Sequence, residues 1–482
     1  MSNRKFADTE AGDAEYFAKE FGKRVRFDHR RGRWLRFAEH RWVPDTDGEM
    51  HRLAVSAMRL RQQDTFRLKD SKTRKRRYKW AIDGESRRRI ENMLALAKTV
   101  TPISDAGNDW DCDPWLIGVR NGVVHLRSGR LRAGRPTDRI TMSVKTSYEP
   151  AAKCPLWEQT ICQLFGGERD LIEYIHRALG YSLTGMTNEQ CLFMNWGSGA
   201  NGKGTLMNTV AAVLGDYADD LPFSALELHA RSGIPNDVAK LVNKRFVTSS
   251  ETGDGVRLNE ARIKAITGCD PLTARFLHRE FFTFQPTAKF WLATNHKPDV
   301  RDDSYGFWRR MRLIPFTQQF CGVRDNKDLK DKLRAEAPGI LRWLVDGSRA
   351  WDRCGLEPPQ TVQDATSAYQ IESDRLTAFF EESCELGTGQ KIQSKHLYRA
   401  YEQWCAEREI ERLNLKAFGQ QVRKRFDAKE QHHIVTYFGV GLRQKDTDPL
   451  THSDPSLGLS HKKTDIEEET DKRVSKGRGG QR

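Results

Sequence analysis

The sequence predicts an α/β fold with a P-loop core at its centre. Three observations carry that prediction. A glycine-rich string ending in Gly-Lys sits between an apolar run and a helix-forming run. Short apolar strands alternate with helices from about residue 191 to 345. Those strands also end in polar groups suited to one site.

The chain has 482 residues, enough for two to four domains. With 38% hydrophobic and 30% charged residues it reads as a protein with a highly charged surface. No apolar run approaches the roughly 20 residues that cross a bilayer, so no membrane association is expected. The amino end, MSNRKFADTEAGDAEYF, carries acids where a signal peptide needs an apolar stretch. The nine cysteines form no C-x-x-C pair, which points to a reducing cytoplasm and away from structural zinc. A formal charge of +14 favours a polyanionic partner, because cations near phosphates release condensed counterions.

Unlike regions follow one another without a repeat. Residues 1 to 150 mix helical stretches such as SRRRIENMLALAKTV with hairpin-like RGRWLRFAEHRWVPD and NGVVHLRSGRLRAG, the latter turning at Ser128-Gly129. The basic run KTRKRRYKW, 72 to 80, fits a nucleic-acid contact or a solvated helix face. DWDCDPW alternates Asp109, Asp111 and Asp113, but Pro114 and Arg120 fall where a calcium loop requires Gly and Glu. A structural turn before Trp115 is the preferred reading. Residues 151 to 190 read as a helical collar, with Gly180 near a helix end. The segment 444 to 482 is expected to be disordered, being charged and almost without aromatic or β-branched residues.

The glycine-rich string is Gly197-Ser198-Gly199-Ala200-Asn201-Gly202-Lys203-Gly204-Thr205, after CLFMNW and before TLMNTVAAVLGDY. Its glycines let backbone N–H groups converge on phosphate oxygens, with the helix contributing its positive end and Lys203 reaching the β- and γ-phosphates. These residues are therefore the expected ATP contacts. Gly204 stands where the magnesium-binding hydroxyl usually lies, so Thr205 is the candidate Mg²⁺ ligand by a less usual route.

KRFVTSSE supplies a second strand ending in Glu251, a candidate to orient or deprotonate the attacking water and a candidate metal-site acid. AKFWLATN ends in Asn295, which suits holding that water or sensing the γ-phosphate, and which alone would read as a turn residue. SYGFWRRMRLIPF then places Arg309 and Arg310 where a guanidinium could neutralise developing phosphoryl charge; a plain surface pair is the competing reading.

This order of motifs resembles the superfamily 3 helicases, specifically the phage and plasmid primase-helicase family. The strings that carry the resemblance are GSGANGKGT, RFVTSSETGDG, LNEARIKAITGCDPLTARFLHREFFTFQPT, FWLATNHKP and FWRRMRLIPF, with DCDPWLIGVRNGVVHLRSGRL and RALGYSLTG upstream. The resemblance implies an AAA+-like core over 191 to 345, an α+β helicase-associated amino-terminal domain and a carboxy-terminal winged helix over 346 to 443. It also implies an ATP- and Mg²⁺-dependent ring, expected to be a homohexamer, acting on single-stranded and forked DNA in a bacterial host cytoplasm. A hairpin built from TARFLHRE and FFTFQPT would offer Arg275, His278 and Arg279 to DNA, with Lys264 in the same motif. In the last region Lys416, Arg423, Lys424 and Arg425 would favour phosphates, with helix packing in a lid as the competing reading. No stretch is left for a primase catalytic domain, so a separately encoded primase or polymerase is expected as partner. Two other classes fit parts of the pattern: a nucleotide kinase with the same GKGT loop, and an initiator that uses ATP only to assemble on DNA.

Overall fold

In the computed structural model the described residues are 6–228, 236–250, 256–275, 281–300, 302, 304–320, 328–373, 375–408, 410, 412–423, 425–431 and 434–443. The chain forms two compact units, Met1–Thr377 and Ala378–Arg482.

The first unit opens with helix Glu10–Phe21, which Thr9 caps by accepting the Gly12 N–H at 3.1 Å. The predicted hairpin appears as strands Arg33–Ala38 and Arg41–Pro44, in a sheet completed by Val25–Asp28 and Ser104–Asp105. Helices Glu49–Thr65, Ser71–Asp83 and Arg87–Ala97 follow the hairpin in sequence. The basic run lies in the second of these. Its Trp80 donates to Asp13 and lies under the Arg89 guanidinium, 3.5 Å from the ring centroid, so that aromatic serves packing.

A second antiparallel sheet, Leu116–Val119, Gly122–His125 and Arg130–Arg132, turns through Gly129 at φ 67°, as the Ser-Gly pair predicts. The aspartate triplet is structural here. The Asp111 carboxylate accepts from the Thr141 amide at 2.6 Å, the Thr141 hydroxyl at 2.5 Å and the Met142 amide at 3.2 Å, and Asp113 accepts from the Trp115 amide.

At the centre lies a five-stranded, wholly parallel sheet. From one edge to the other its strands are Met311–Pro315, Leu192–Trp196, Lys289–Thr294, Phe246–Ser250 and Ala218–Asp220. A parallel sheet is buried on both faces, and the alternation along each strand serves two cores. Phe193 and Trp291 face one core, stacked 4.3 Å apart, while Leu192, Met194 and Leu292 face the other.

Helices Pro155–Leu164, Arg169–Leu183 and Ala337–Cys354 contribute to the first core. The last two cross at paired glycines: a Cβ on Gly180 would lie 2.0 Å from the Gly347 carbonyl carbon. Gly180 thus lies near the end of its helix, as expected, and also marks a close helix crossing. The boundary drawn from sequence at 345/346 falls inside helix Ala337–Cys354, and the compact unit runs on to Thr377.

Arg245, just before strand Phe246–Ser250, is buried. It donates to the carbonyls of Leu183 at 2.9 Å, Asp113 at 3.1 Å and Leu116 at 2.8 Å. Burial lowers its pKa from the ordinary guanidinium value, and three carbonyls offset the lost hydration.

The second unit takes in the end of helix Arg375–Ser383, strand Cys384–Gln393, helices Ser394–Glu407 and Leu415–Arg423, and strands Asp427–Gln431 and Ile434–Leu442. Its strands pair antiparallel with Ile434–Leu442 in the middle, and Phe379, Tyr401 and Phe418 pack at its centre. Lys424 and the segment 444 to 482 lie outside the described residues. Among the described residues no helix is long and apolar enough to cross a membrane.

Candidate nucleotide site

The P-loop strand Leu192–Trp196 gives way at Gly197 to a loop whose backbone only small residues allow. A Cβ at Gly197 would lie 2.1 Å from the Asn201 amide nitrogen and 2.5 Å from the Phe316 carbonyl oxygen. Gly202, at φ 77°, would bring a Cβ within 2.2 Å of Leu164, so both bulk and backbone angle select glycine there. Gly202 is the N-cap of helix Lys203–Leu214 and provides no capping side chain, which suits a helix start that receives an anion.

Lys203 is only 7% exposed. Its Nζ donates to the Gly197 carbonyl at 2.7 Å, Asn201 Oδ1 at 3.0 Å and Asn295 Oδ1 at 2.9 Å. Among the described residues three neutral acceptors and no acid hold the ammonium, and burial lowers its pKa below the ordinary lysine value. Thr205 lines a cavity of about 620 Å³ together with Ala200 and Gly202 of the loop and Gln163 of helix Pro155–Leu164. At Gly204 a Cβ would approach only Asn208, at 3.9 Å, so a hydroxyl-bearing residue has room there.

The sheet order explains why Asn295 reaches Lys203. Strand Lys289–Thr294 lies beside the P-loop strand with Thr294 opposite Trp196, so the residue that follows arrives at the loop. Strand Phe246–Ser250 lies one place further out, with Ser250 opposite Ala293. Glu251 itself lies outside the described residues.

Arg309 and Arg310 are elsewhere. They precede strand Met311–Pro315, and the Leu192 amide donates to the Arg310 carbonyl, which sets them at the amino edge of the sheet. A five-residue strand spans roughly 16 Å, so neither guanidinium belongs to the Lys203 cluster of its own chain. Both donate to Gln190 Oε1, Arg309 at 2.5 Å and Arg310 at 3.5 Å, and burial lowers the Arg310 pKa.

The hairpin predicted between the acidic and Asn strands is present as Leu272–Ala274 paired with Phe282–Phe284. Arg275 is exposed and lies over the Phe281 ring at 5.0 Å, whereas His278 and Arg279 lie outside the described residues. Lys264 is half-buried, paired with Asp302 and donating to the Ser304 hydroxyl at 3.0 Å. Its ammonium therefore ties helix Glu260–Thr267 to the start of helix Tyr305–Trp308. Gln190, Asp302 and Ser304 are the partners that sequence reasoning missed, since each acts on a residue distant in the chain. Among the described residues no group of three or more His, Cys, Asp or Glu could hold a metal.

Comparison with known proteins covers most of the chain in separate pieces. Residues 14–166 match a family described as D5 N terminal like, 196–310 a family of unknown function, and 371–447 a family described as poxvirus D5 protein-like. The "Putative helicase L207/L206" of Acanthamoeba polyphaga mimivirus is 26% identical over 389 residues, 72% of this chain and 40% of that protein. The "Putative primase C962R" of African swine fever virus (isolate Tick/Malawi/Lil 20-1/1983) is 27% identical over 301 residues, 56% of this chain and 31% of that protein. The chain thus spans less than half the length of these relatives. Among solved structures, the apo A form of the NrS-1 C-terminal region superposes with a TM-score of 0.50 at 11% identity, covering 88% of this chain and 99% of that one, a likeness of fold. The D5-type matches on either side of the P-loop core, together with these relatives, support a protein of the phage and viral primase-helicase type.

Proposed function

We propose that the chain is an ATP-driven DNA helicase motor with an AAA+-like core. The observation that carries this reading is the 2.9 Å hydrogen bond from Lys203 to Asn295 at the carboxyl edge of the parallel sheet. One strand end supplies the phosphate-binding loop, and its neighbour places a neutral amide where a γ-phosphate or its attacking water would be held. In this reading Lys203 balances the β- and γ-phosphate charge, Glu251 activates water, and the loop from Gly197 to Thr205 cradles Mg²⁺-ATP. The amide beside Lys203 favours hydrolysis over the nucleotide-kinase alternative, because it orients water rather than accepting a phosphoryl group.

Arg309 and Arg310, remote from Lys203 of their own chain, fit a role across a subunit boundary, which supports a ring with six copies as the expected number. Exposed Arg275 beside Phe281 suits the sugar-phosphate backbone of a single strand. The order helix, strand, helix, helix, strand, strand in the second unit supports a winged-helix reading, with Lys416 and Arg423 near its outer surface. A primase or polymerase would be a separate partner in replication.

The test is unwinding of forked DNA bearing tails of either polarity, with and without ATP. Unwinding by the wild type and its loss in Lys203→Ala are expected. Strand separation that survives Lys203→Ala would overturn the assigned site, and DNA-independent phosphoryl transfer to a nucleoside monophosphate would overturn the reaction.

A further inference from the structure

A cleft of about 1040 Å³ separates the amino-terminal domain from the hairpin. One wall is the turn after strand Val25–Asp28, with Arg30 and Arg31, and the start of the next strand, with Arg33; facing it are Lys240 and the ring of Phe281. We propose that this cleft seats single-stranded DNA, with phosphates along the arginine turn and a base stacked on Phe281. The proposal rests on the reading that the chain acts on DNA.

Charge is the first argument. Four cations line the cleft, and among the described residues the acids at it are already engaged. Asp28 is shared by Arg31 at 3.1 Å and Arg33 at 3.6 Å, which leaves that turn positive. Asp219, on the facing wall, pairs with Lys244 at 3.2 Å, and Asp111 is buried in bonds from Thr141 and Met142. Such a surface attracts a polyanion.

Shape and chemistry supply the second argument. Phe281 is 53% exposed at the cleft, with the Arg275 guanidinium 5.0 Å from its ring centroid. An open aromatic face beside cations binds unstacked bases without reading their sequence, and a duplex offers no such bases. The amide of Asn108 also lines the cleft and can meet base edges, and Asn243, whose Nδ2 donates to the Trp110 carbonyl at 3.2 Å, keeps only its oxygen for them. Arg30 spans the two walls: it donates to the Thr283 carbonyl at 3.0 Å and lies over the Phe282 ring at 5.3 Å. A strand held here therefore touches the hairpin and the amino-terminal domain together.

The test is fluorescence anisotropy with a labelled deoxythymidine 20-mer at several salt concentrations, using the full chain. Phe281→Ala is expected to weaken binding at least about five-fold with little change in salt slope, and Phe281→Trp to restore it. Arg30→Glu should weaken binding and flatten the slope, whereas Arg87→Glu, the same charge change on an exposed helix, should do neither. Wild-type binding that both cleft variants match would overturn the cleft alone. A wild type that binds no single strand would overturn the DNA reading with it. Ultraviolet cross-linking of a bromodeoxyuridine-substituted strand to the wild type reads the site without any variant. Label on the peptides holding Arg30 or Phe281 supports the cleft, and label confined to other peptides overturns it.

Discussion

The Lys203 ammonium and the Asn295 amide oxygen meet at 2.9 Å although 92 positions separate them in sequence. Their meeting depends on strand Lys289–Thr294 lying beside the P-loop strand. Asn295→Ala should therefore lower ATP turnover by about 10²- to 10³-fold, the effect typical of losing one oriented polar group, while nucleotide affinity changes far less. Steady-state kcat and KM check this. An unchanged kcat would remove Asn295 from the reaction.

Nucleotide affinity should depend on pH through Lys203. Burial lowers its pKa, so the free protein gives up this proton at a lower pH than an ordinary lysine would. A bound phosphate favours the charged form. Affinity for a non-hydrolysable ATP analogue should consequently fall as pH rises through the lowered value, with proton uptake on binding in that window. Titration calorimetry in buffers of different ionisation enthalpy reads both effects. Without nucleotide the sign for folding is opposite: the unfolded chain holds the proton more tightly, so stability from this group rises with pH across the same window. Lys203→Arg should flatten the affinity profile, because guanidinium stays charged.

The two glycines flanking Lys203 should respond in opposite ways. Gly202→Ala combines a positive φ with a 2.2 Å approach to Leu164 and should cost about 1–3 kcal/mol of stability. Gly204→Ser enters open space in a helix and should stabilise by up to about 0.5 kcal/mol. Urea denaturation separates the two. A Mg²⁺ titration of turnover in Gly204→Ser then shows whether a hydroxyl at this place tightens metal dependence.

Arg309→Ala and Lys203→Ala should each be inactive alone and recover hydrolysis when mixed, since each supplies what the other lacks across a boundary. Mixed-variant turnover is the measurement. No recovery at any ratio would assign Arg309 to its own subunit's structure through Gln190.

Gly180→Ala should lower the thermal midpoint. Alanine favours helix by about 1 kcal/mol, but its methyl would meet the Gly347 backbone at 2.0 Å, and overpacking of that kind costs about 1–3 kcal/mol. A raised midpoint would show that the two helices separate easily.

Much of the core was legible because local rules and the fold agree there. The P-loop string, the apolar strands before Gly197 and Asn295, and both amino-terminal hairpins follow from patterns within about fifteen residues. Strand order was not legible, and with it went the distance between Arg310 and Lys203. A strand's amino and carboxyl ends look alike in a motif string, yet they lie on opposite edges of the sheet. Lys264 shows a related limit: its place in the hairpin motif suggested DNA, while its partner Asp302 is 38 positions away. Gly180 does lie near the end of its helix, as expected, but only the approach of Gly347 explains why glycine stands there.

Arg245 bears on how this molecule can be dissected. Its three carbonyl acceptors belong to Asp113, Leu116 and Leu183, all upstream of the P-loop strand. A fragment trimmed to begin at residue 191 would keep the guanidinium and lose every one of these oxygens. The guanidinium would then reach water, but the same cut would strip Tyr174, Tyr181 and Leu183 from the core that holds Phe193 and Trp291, so the segment preceding the P-loop strand is part of the core's folding unit, and truncation there would yield aggregation rather than a stable fragment.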